Sequence, residues 1–216
     1  MKKIITITAA ALFFVTAATA QKVTFGFNGG LIMSNYKTNI DGSAYSSKSM
    51  TGFTAGFLTD IPIAKKFSFQ PAIQFTQKGG VEKESSDGMD YSLTLTMDYL
   101  EVPFNFLYKF NSPKTTFYIG AGPVFSYGLS GSVKLSMDGE HDKQDINFGN
   151  GDDDDFKQVD GGANILAGVQ FKNGVSIALN YNMGFSNLFI DGDGDNYYHN
   201  RYFGMRIGYM LKGNKK

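Results

Sequence analysis

Of the 216 residues none is cysteine and only two are histidine, and charge is balanced at 20 basic against 20 acidic residues. Without cysteine there is no disulfide framework, so an exported chain must take its stability from the fold itself. The balanced charge gives no footprint for a nucleic-acid partner. With His141 and His199 in separate polar stretches, no nucleophile has a paired base, and we expect no catalytic residue, no enzyme activity, no cofactor and no resident metal. Long apolar runs are also missing. Ile4 to Val15 is too short to span a membrane as a helix, and nothing later approaches the roughly 20 residues such a helix needs.

What is present begins with an export address. Lys2 and Lys3, the short apolar core and Ala18-Thr19-Ala20 form a signal peptide over residues 1–20, with cleavage before Gln21, and the lack of any cysteine excludes a lipoprotein anchor. Removing Lys2 and Lys3 leaves 18 basic against 20 acidic residues, a net charge of −2. Residues 21–216 then read as one domain, rich in Gly (26), Phe (20) and Tyr (12), a composition that suits many short strands.

Periodicity gives those strands. In residues 175–186, Val175, Ile177, Leu179, Tyr181, Met183 and Phe185 share one face, and Ser176, Ala178, Asn180, Asn182, Gly184 and Ser186 the other. The same period of two predicts eight strands, at 23–34, 49–60, 67–78, within 91–110, 115–127, 161–171, 175–189 and 200–211. Connections alternate long and short: 35–48, 61–66, 79–90, 111–114, 128–160, 172–174 and 190–199. The short ones carry turn residues such as Asn173-Gly174 and Ser112-Pro113 and the basic side chains Lys65, Lys66, Lys114 and Lys172. In the fourth strand Leu93, Leu95, Met97 and Tyr99 take odd positions, whereas Leu100, Val102, Phe104, Phe106, Tyr108 and Phe110 take even ones. A β-bulge near Tyr99 would join the two phases.

Charge decides which face meets which solvent. The apolar faces (Phe25, Phe27, Leu31, Met33; Phe67, Phe69, Ile73, Phe75; Phe203, Met205, Ile207, Tyr209, Leu211) carry no ionised residue, as lipid requires. The opposite faces are small and mostly uncharged, unlike a water-exposed surface. The fold class is therefore all-β: an eight-stranded, antiparallel, up-and-down transmembrane β-barrel whose lumen is filled by side chains, leaving no open pore. Phe25, Phe67, Phe110, Phe117, Phe171 and Tyr209 near the short turns, and Phe53, Phe75, Phe125, Tyr127 and Phe185 near the long loops, would form two aromatic girdles. Parity places Glu101, Arg206, Lys109, Asp60 and Lys78 inside, where we expect an ion-pair network, with Glu101 paired to Arg206, to fix strand register.

Several segments together resemble the PorT family of small outer-membrane β-barrel proteins of Bacteroidetes. They are the Ala20-Gln21 junction, Phe25-Gly26-Phe27-Asn28-Gly29-Gly30, Asp98-Tyr99-Leu100-Glu101-Val102-Pro103, Tyr118-Ile119-Gly120-Ala121-Gly122-Pro123, and Arg201-Tyr202-Phe203-Gly204 onward to Leu211. The ending Lys212 to Lys216 departs from the usual final strand residue. The resemblance implies location in the cell outer membrane; the founding member is linked to type IX secretion.

Function follows only coarsely. A structural or surface-loop binding role in the outer membrane is the first reading, an accessory of a secretion or transport machine the second, and a lipid-modifying barrel the third. Expected partners are outer-membrane lipid, the barrel-insertion machinery and a protein met through the external loops, with the barrel itself a monomer. Asp191-Gly192-Asp193-Gly194-Asp195 imitates the start of a calcium loop, but Asn196 stands where glycine is needed and Tyr202 where a bidentate Glu is needed, so it reads as a solvated turn. The run Asp152 to Asp155 is a weaker cation patch still.

Overall fold

The protein is described by a computed structural model over residues 23–86, 89–137, 140–192 and 195–211. The expected leader and cleavage site, Asp193-Gly194 of the calcium-like turn and the tail Lys212 to Lys216 lie outside these residues.

Among the described residues twelve strands follow in chain order: β1 (Thr24–Ile40), β2 (Ser43–Ser46), β3 (Lys48–Pro62), β4 (Phe67–Ser86), β5 (Met89–Asn111), β6 (Thr115–Met137), β7 (Glu140–Ile146), β8 (Phe148–Gly149), β9 (Phe156–Lys157), β10 (Val159–Phe171), β11 (Val175–Gly184) and β12 (Tyr197–Met210). Eight of them close a ring in the order β1-β3-β4-β5-β6-β10-β11-β12, every pairing antiparallel. The seam runs from Gly26↔Met210 to Asn39↔Tyr197. Closure pairs both edges of every ring strand, which is what permits a sheet to sit in hydrocarbon.

At one end the ring strands are joined by tight turns. Gly174 takes a positive φ of 99°, and Val175 N–H donates to the Asn173 side chain over 3.1 Å, so the Asn-Gly pair turns the chain between β10 and β11. Only the glycine of that pair needs the left-handed region. Turn-end boundaries fall where periodicity placed them, at Phe67, Thr115, Phe171 and Val175.

Through the middle of the ring the two faces have opposite polarity. Leu179 is 46% exposed on the outer wall and the adjacent Asn180 3% exposed in the lumen. Phe25, Phe27, Leu31 and Met33 on β1, and Phe203, Met205, Ile207 and Leu211 at and beyond β12, line the same outer belt. On β5 the belt runs from Leu100 to Phe110, close to the roughly 9–11 residues a tilted strand needs to cross a bilayer. The proposed girdle residues point outward, but aromatics also fill the wall between them: Phe69 lies 5.1 Å from Phe106, and Phe104 lies 6.1 Å from Phe125, centroid to centroid.

Beyond the belt, at the loop end, the polarity inverts. Tyr36, Leu95, Met97, Tyr99, Ile146, Leu188 and Tyr198 point inward and form a buried apolar cluster, with Val133, Phe148, Phe156 and Phe189 packed against it. Outside lipid the outer wall meets water, so the apolar residues must turn inward. This corrects the extents expected for the long connections. Much of residues 35–48, 79–90 and 128–160 is strand: β1, β4, β5 and β6 run past the belt, and β2 and β7 fold back on β1 and β6 as hairpins. Conversely β11 stops at Gly184 rather than continuing to Phe189, because Phe185 and Ser186 bond back to Gly161.

The same inversion corrects the bulge. β5 keeps odd residues inward throughout, from Leu95 to Leu107; only the polarity of that face changes. The irregularity is real but belongs to β6. Asp98 pairs with Ser130 and Tyr99 with Gly128, so Leu129 is the extra residue. β6 therefore changes parity, placing Gly128 and then Gly131 and Val133 inside.

Candidate functional site: the lumenal charge cluster and its cap

Glu101, fully buried on β5, is the hub of the lumen. Its carboxylate accepts from Lys78 Nζ at 2.8 Å, Gln74 Nε2 at 2.9 Å, Thr76 Oγ1 at 2.9 Å, Ser126 Oγ at 3.2 Å and Tyr202 OH at 2.9 Å. Lys78 is also buried, reaches Asp160 at 3.5 Å, and sits 4.3 Å from the centroid of the Tyr99 ring. Two carboxylates and an aromatic face thus surround one ammonium, the compensation a buried cation requires.

All five charges expected inside are inside, but the pairing differs. The partner of Glu101 is Lys78, not Arg206. Arg206 donates to Gln74 Oε1 at 2.9 Å and to Tyr202 OH at 3.2 Å, so it reaches Glu101 only through those two side chains. Parity fixes the face on which a residue lies; height along the barrel decides what it touches. Nearer the turns, Lys109 pairs with Asp60, and Asn105, Asn164 and Asn180 make a hydrogen-bonded chain across three strands with links of 3.0 and 3.2 Å. Small residues make room for this: a Cβ at Gly204 would lie 2.6 Å from Asn180 Oδ1, and one at Gly208 would lie 2.8 Å from Ser176 Oγ.

A cavity of about 40 Å³ remains at the turn end, lined by Asn28, Asp60, Asn105, Lys109, Asn180 and Arg206 among others. It fits a few waters and is no conduit for a solute. Toward the loops the charge cluster is roofed by the apolar cap. Phe148 and Phe156, from the short parallel pair β8–β9, fold into the mouth, Phe148 meeting Tyr99 edge-on at 5.6 Å and Phe156 meeting Tyr198 at 5.1 Å. Tyr36 OH donates to Glu82 at the rim, and burial together with that carboxylate pushes the Tyr36 phenol above its usual range. Periodicity missed this cap because half of it, Tyr36, Ile146, Phe148, Phe156 and Tyr198, lies in stretches read as loop, although those aromatics in otherwise polar stretches were a usable signal.

Ser126 Oγ lies 3.4 Å from Lys78 Nζ, which superficially suggests a nucleophile and its base. Lys78 is held between two carboxylates, so its ammonium is kept charged and cannot take the hydroxyl proton. His141 bonds Ser136 at 2.9 Å and His199 stacks on Tyr197 at 4.7 Å, in separate places on the surface. In the acidic run, Asp154 caps Gly151 N–H at 2.8 Å and Asp155 accepts from Asn147 N–H at 2.9 Å, so two of its carboxylates brace their own loop. Asn196, after the calcium-like turn, accepts from Asn187 through its carbonyl and from Asp41 through its side chain. Among the described residues no group of three His, Asp or Glu side chains could hold a metal ion.

The family described as outer membrane protein beta-barrel domain matches residues 19–190. The chain belongs to that family. Its place is accordingly the cell outer membrane. No curated protein matches it. Among solved structures, the chain is similar to the attachment invasion locus protein Ail of Yersinia pestis, at 17% identity and a TM-score of 0.44, over 88% of this chain and 99% of Ail. It is similar to Neisserial surface protein A at 13% identity and a TM-score of 0.41, over 87% and 97% of the two chains. The outer-membrane protease OmpT of Escherichia coli is a more distant likeness, at 10% identity and a TM-score of 0.33, over 87% and 97%. At these values the likenesses carry no argument about activity, and the fold rests on the closed ring itself.

Proposed function

We propose that the protein is a closed, monomeric outer-membrane scaffold that presents stiff β-hairpins at the cell surface for contact with a protein partner. One observation carries this reading: β5 continues from Tyr99 back to Met89 beyond the lipid belt, a protrusion of roughly 35 Å along the strand at about 3.3 Å per residue, and the protruding part has its own apolar interior. Building a second core there stabilises a defined shape in water, which a barrel serving only to fill membrane does not need. The filled lumen favours contact over conduction.

Long loops outside and short turns in the periplasm is the usual arrangement of such barrels and sets the orientation of this reading. Export through the leader of residues 1–20, cleavage before Gln21 and kinship with the PorT family of Bacteroidetes complete it; the support is the leader pattern and the segments quoted above. An epitope placed within Gly149 to Asp155 should be reached by antibody on intact cells, and one beside Asn173 should not; the reverse would overturn the orientation. Intact mass of the extracted protein should lack Met1 to Ala20. Affinity isolation from cross-linked cells tests the contact role. A partner at substoichiometric, surface-dependent yield supports the scaffold, whereas a stoichiometric complex would assign the same hairpins to a secretion or transport machine.

A further inference from the structure

The outer wall carries charge unevenly just above the lipid belt. On the β12–β1 side the last lipid-facing pair is Met33 and Phe203, which lie opposite each other in register. Immediately above them come Arg201 opposite Asn35, and then His199 opposite Lys37. Their side chains are organised. Arg201 donates through Nε to Asn35 Oδ1 at 3.0 Å and through Nη2 to Ser46 Oγ at 3.3 Å, while Lys37 Nζ lies 5.8 Å from the centroid of the Tyr197 ring, itself stacked on His199 at 4.7 Å. None of the residues paired in register with Lys37 or Arg201 is acidic: they are His199, Ser46, Asn35 and Met183.

Across the ring, at the corresponding height above Phe75 and Leu100, the outer wall carries an aspartate instead of a cation. Asp98 stands there, accepting from Gln77 at 3.0 Å and from Ser130 at 3.1 Å. The barrel is therefore polarised at the level where a bilayer gives way to its headgroups. Neither half of Arg201's contacts neutralises its charge, since Asn35 and Ser46 are uncharged acceptors.

We propose that Lys37, Arg201 and His199 form a seat for the phosphorylated headgroup of an outer-leaflet lipid, whose acyl chains lie on Met33, Met183 and Phe203. A guanidinium fixed by two neutral acceptors keeps N–H groups free for a phosphate oxygen, and an ammonium one register step higher supplies the second charge. Tyr197 and His199 give a flat rim on which a sugar or glycerol group can rest. The lipid, not a dissolved anion, is the occupant because the seat is continuous with the lipid-facing wall and opens sideways into the membrane, not into a cleft. The leaflet named here rests on the orientation proposed above, whereas headgroup binding itself does not. Surface labelling tests the first and the following measurement the second, so their failures are distinguishable.

The test is native mass spectrometry of the full mature chain in zwitterionic detergent, with bisphosphorylated lipid A as the probe. Wild type should retain the lipid, and the pair Lys37→Gln with Arg201→Gln should retain about tenfold less at equal lipid concentration. Lys83→Gln with Lys134→Gln removes the same charge from exposed positions on the other walls and should retain as much as wild type. Lys37→Gln alone, at an exposed side chain, keeps the proposal testable should the Arg201 variant fail to fold, and should reduce retention about threefold. Equal loss in the control pair, or no loss in the first, overturns the seat. Displacement by millimolar inorganic phosphate would overturn the lipid assignment in favour of a free anion, and retention in its presence supports the lipid.

Discussion

Two regions of the same strands obey opposite rules. On β5, Leu100 to Phe110 put their apolar residues outward and Glu101, Asn105 and Lys109 inward, while Leu93, Leu95, Met97 and Tyr99 of the same strand put apolar residues inward. The strand does not change its parity between them. What changes is the solvent outside, from hydrocarbon to water, and with it the face that must be apolar. A polar, ion-paired interior and an apolar, aromatic interior are thus stacked within one barrel, with Lys78 meeting Tyr99 at their boundary.

The sharpest way to break the comparison is to unbalance the polar storey. Lys78→Met leaves Glu101 and Asp160 buried without their cation and should cost about 3–5 kcal/mol, whereas Lys78→Met with Glu101→Gln should recover much of it. Folding stability in lipid vesicles, read by heat-dependent gel mobility across a urea series, checks this; additive losses would mean the two do not interact. Next comes the outer wall. Arg at Leu179 should cost roughly 2–4 kcal/mol or block insertion, while Arg at Thr94, outward on the protruding part of β5, should stay within about 0.5 kcal/mol. Equal effects would contradict the division into belt and protrusion.

A smaller effect probes the cap. A Cβ at Gly128 would meet the Phe148 ring at 2.6 Å, so Gly128→Ala should displace β8 from the mouth at about 1–3 kcal/mol, with faster amide exchange at Leu188 and Tyr198 and unchanged exchange at Asn180. The smallest expected effect is at the exposed pair of Lys143 with Asp145 on the β7 hairpin, 3.8 Å apart. Lys143→Gln should change stability by less than about 0.5 kcal/mol by the same urea series.

How far the sequence carries follows from the same division. Within the belt the period of two reports which residues face lipid, so the turn-end boundaries and the inward placement of Lys78, Glu101 and Arg206 were legible. Beyond it, Lys37, Lys83, Lys134 and the residues of β7 before Ile146 face water, and strands there look like polar loop. The phase change near Tyr99 was visible but had two physical readings, an extra residue or a change of solvent, and it took the partner strand to show that both occur, the former at Leu129 of β6. The Glu101 partner was not legible, since Lys78, Arg206, Lys109 and Asp60 share a face and only the stagger between strands sets their heights.

The seam has a consequence for assembly. β1 and β12 lie at opposite ends of the chain yet pair along the whole stretch from Gly26↔Met210 to Asn39↔Tyr197, so the ring cannot shut until the last strand has been synthesised, exported and delivered. That strand brings Tyr202 to Glu101 and Arg206 to Gln74. Until it docks, Glu101 lacks one of its donors and the lumen stands open to water along one side. Zipping the seam therefore completes the electrostatics of the lumen and closes it to water in a single step.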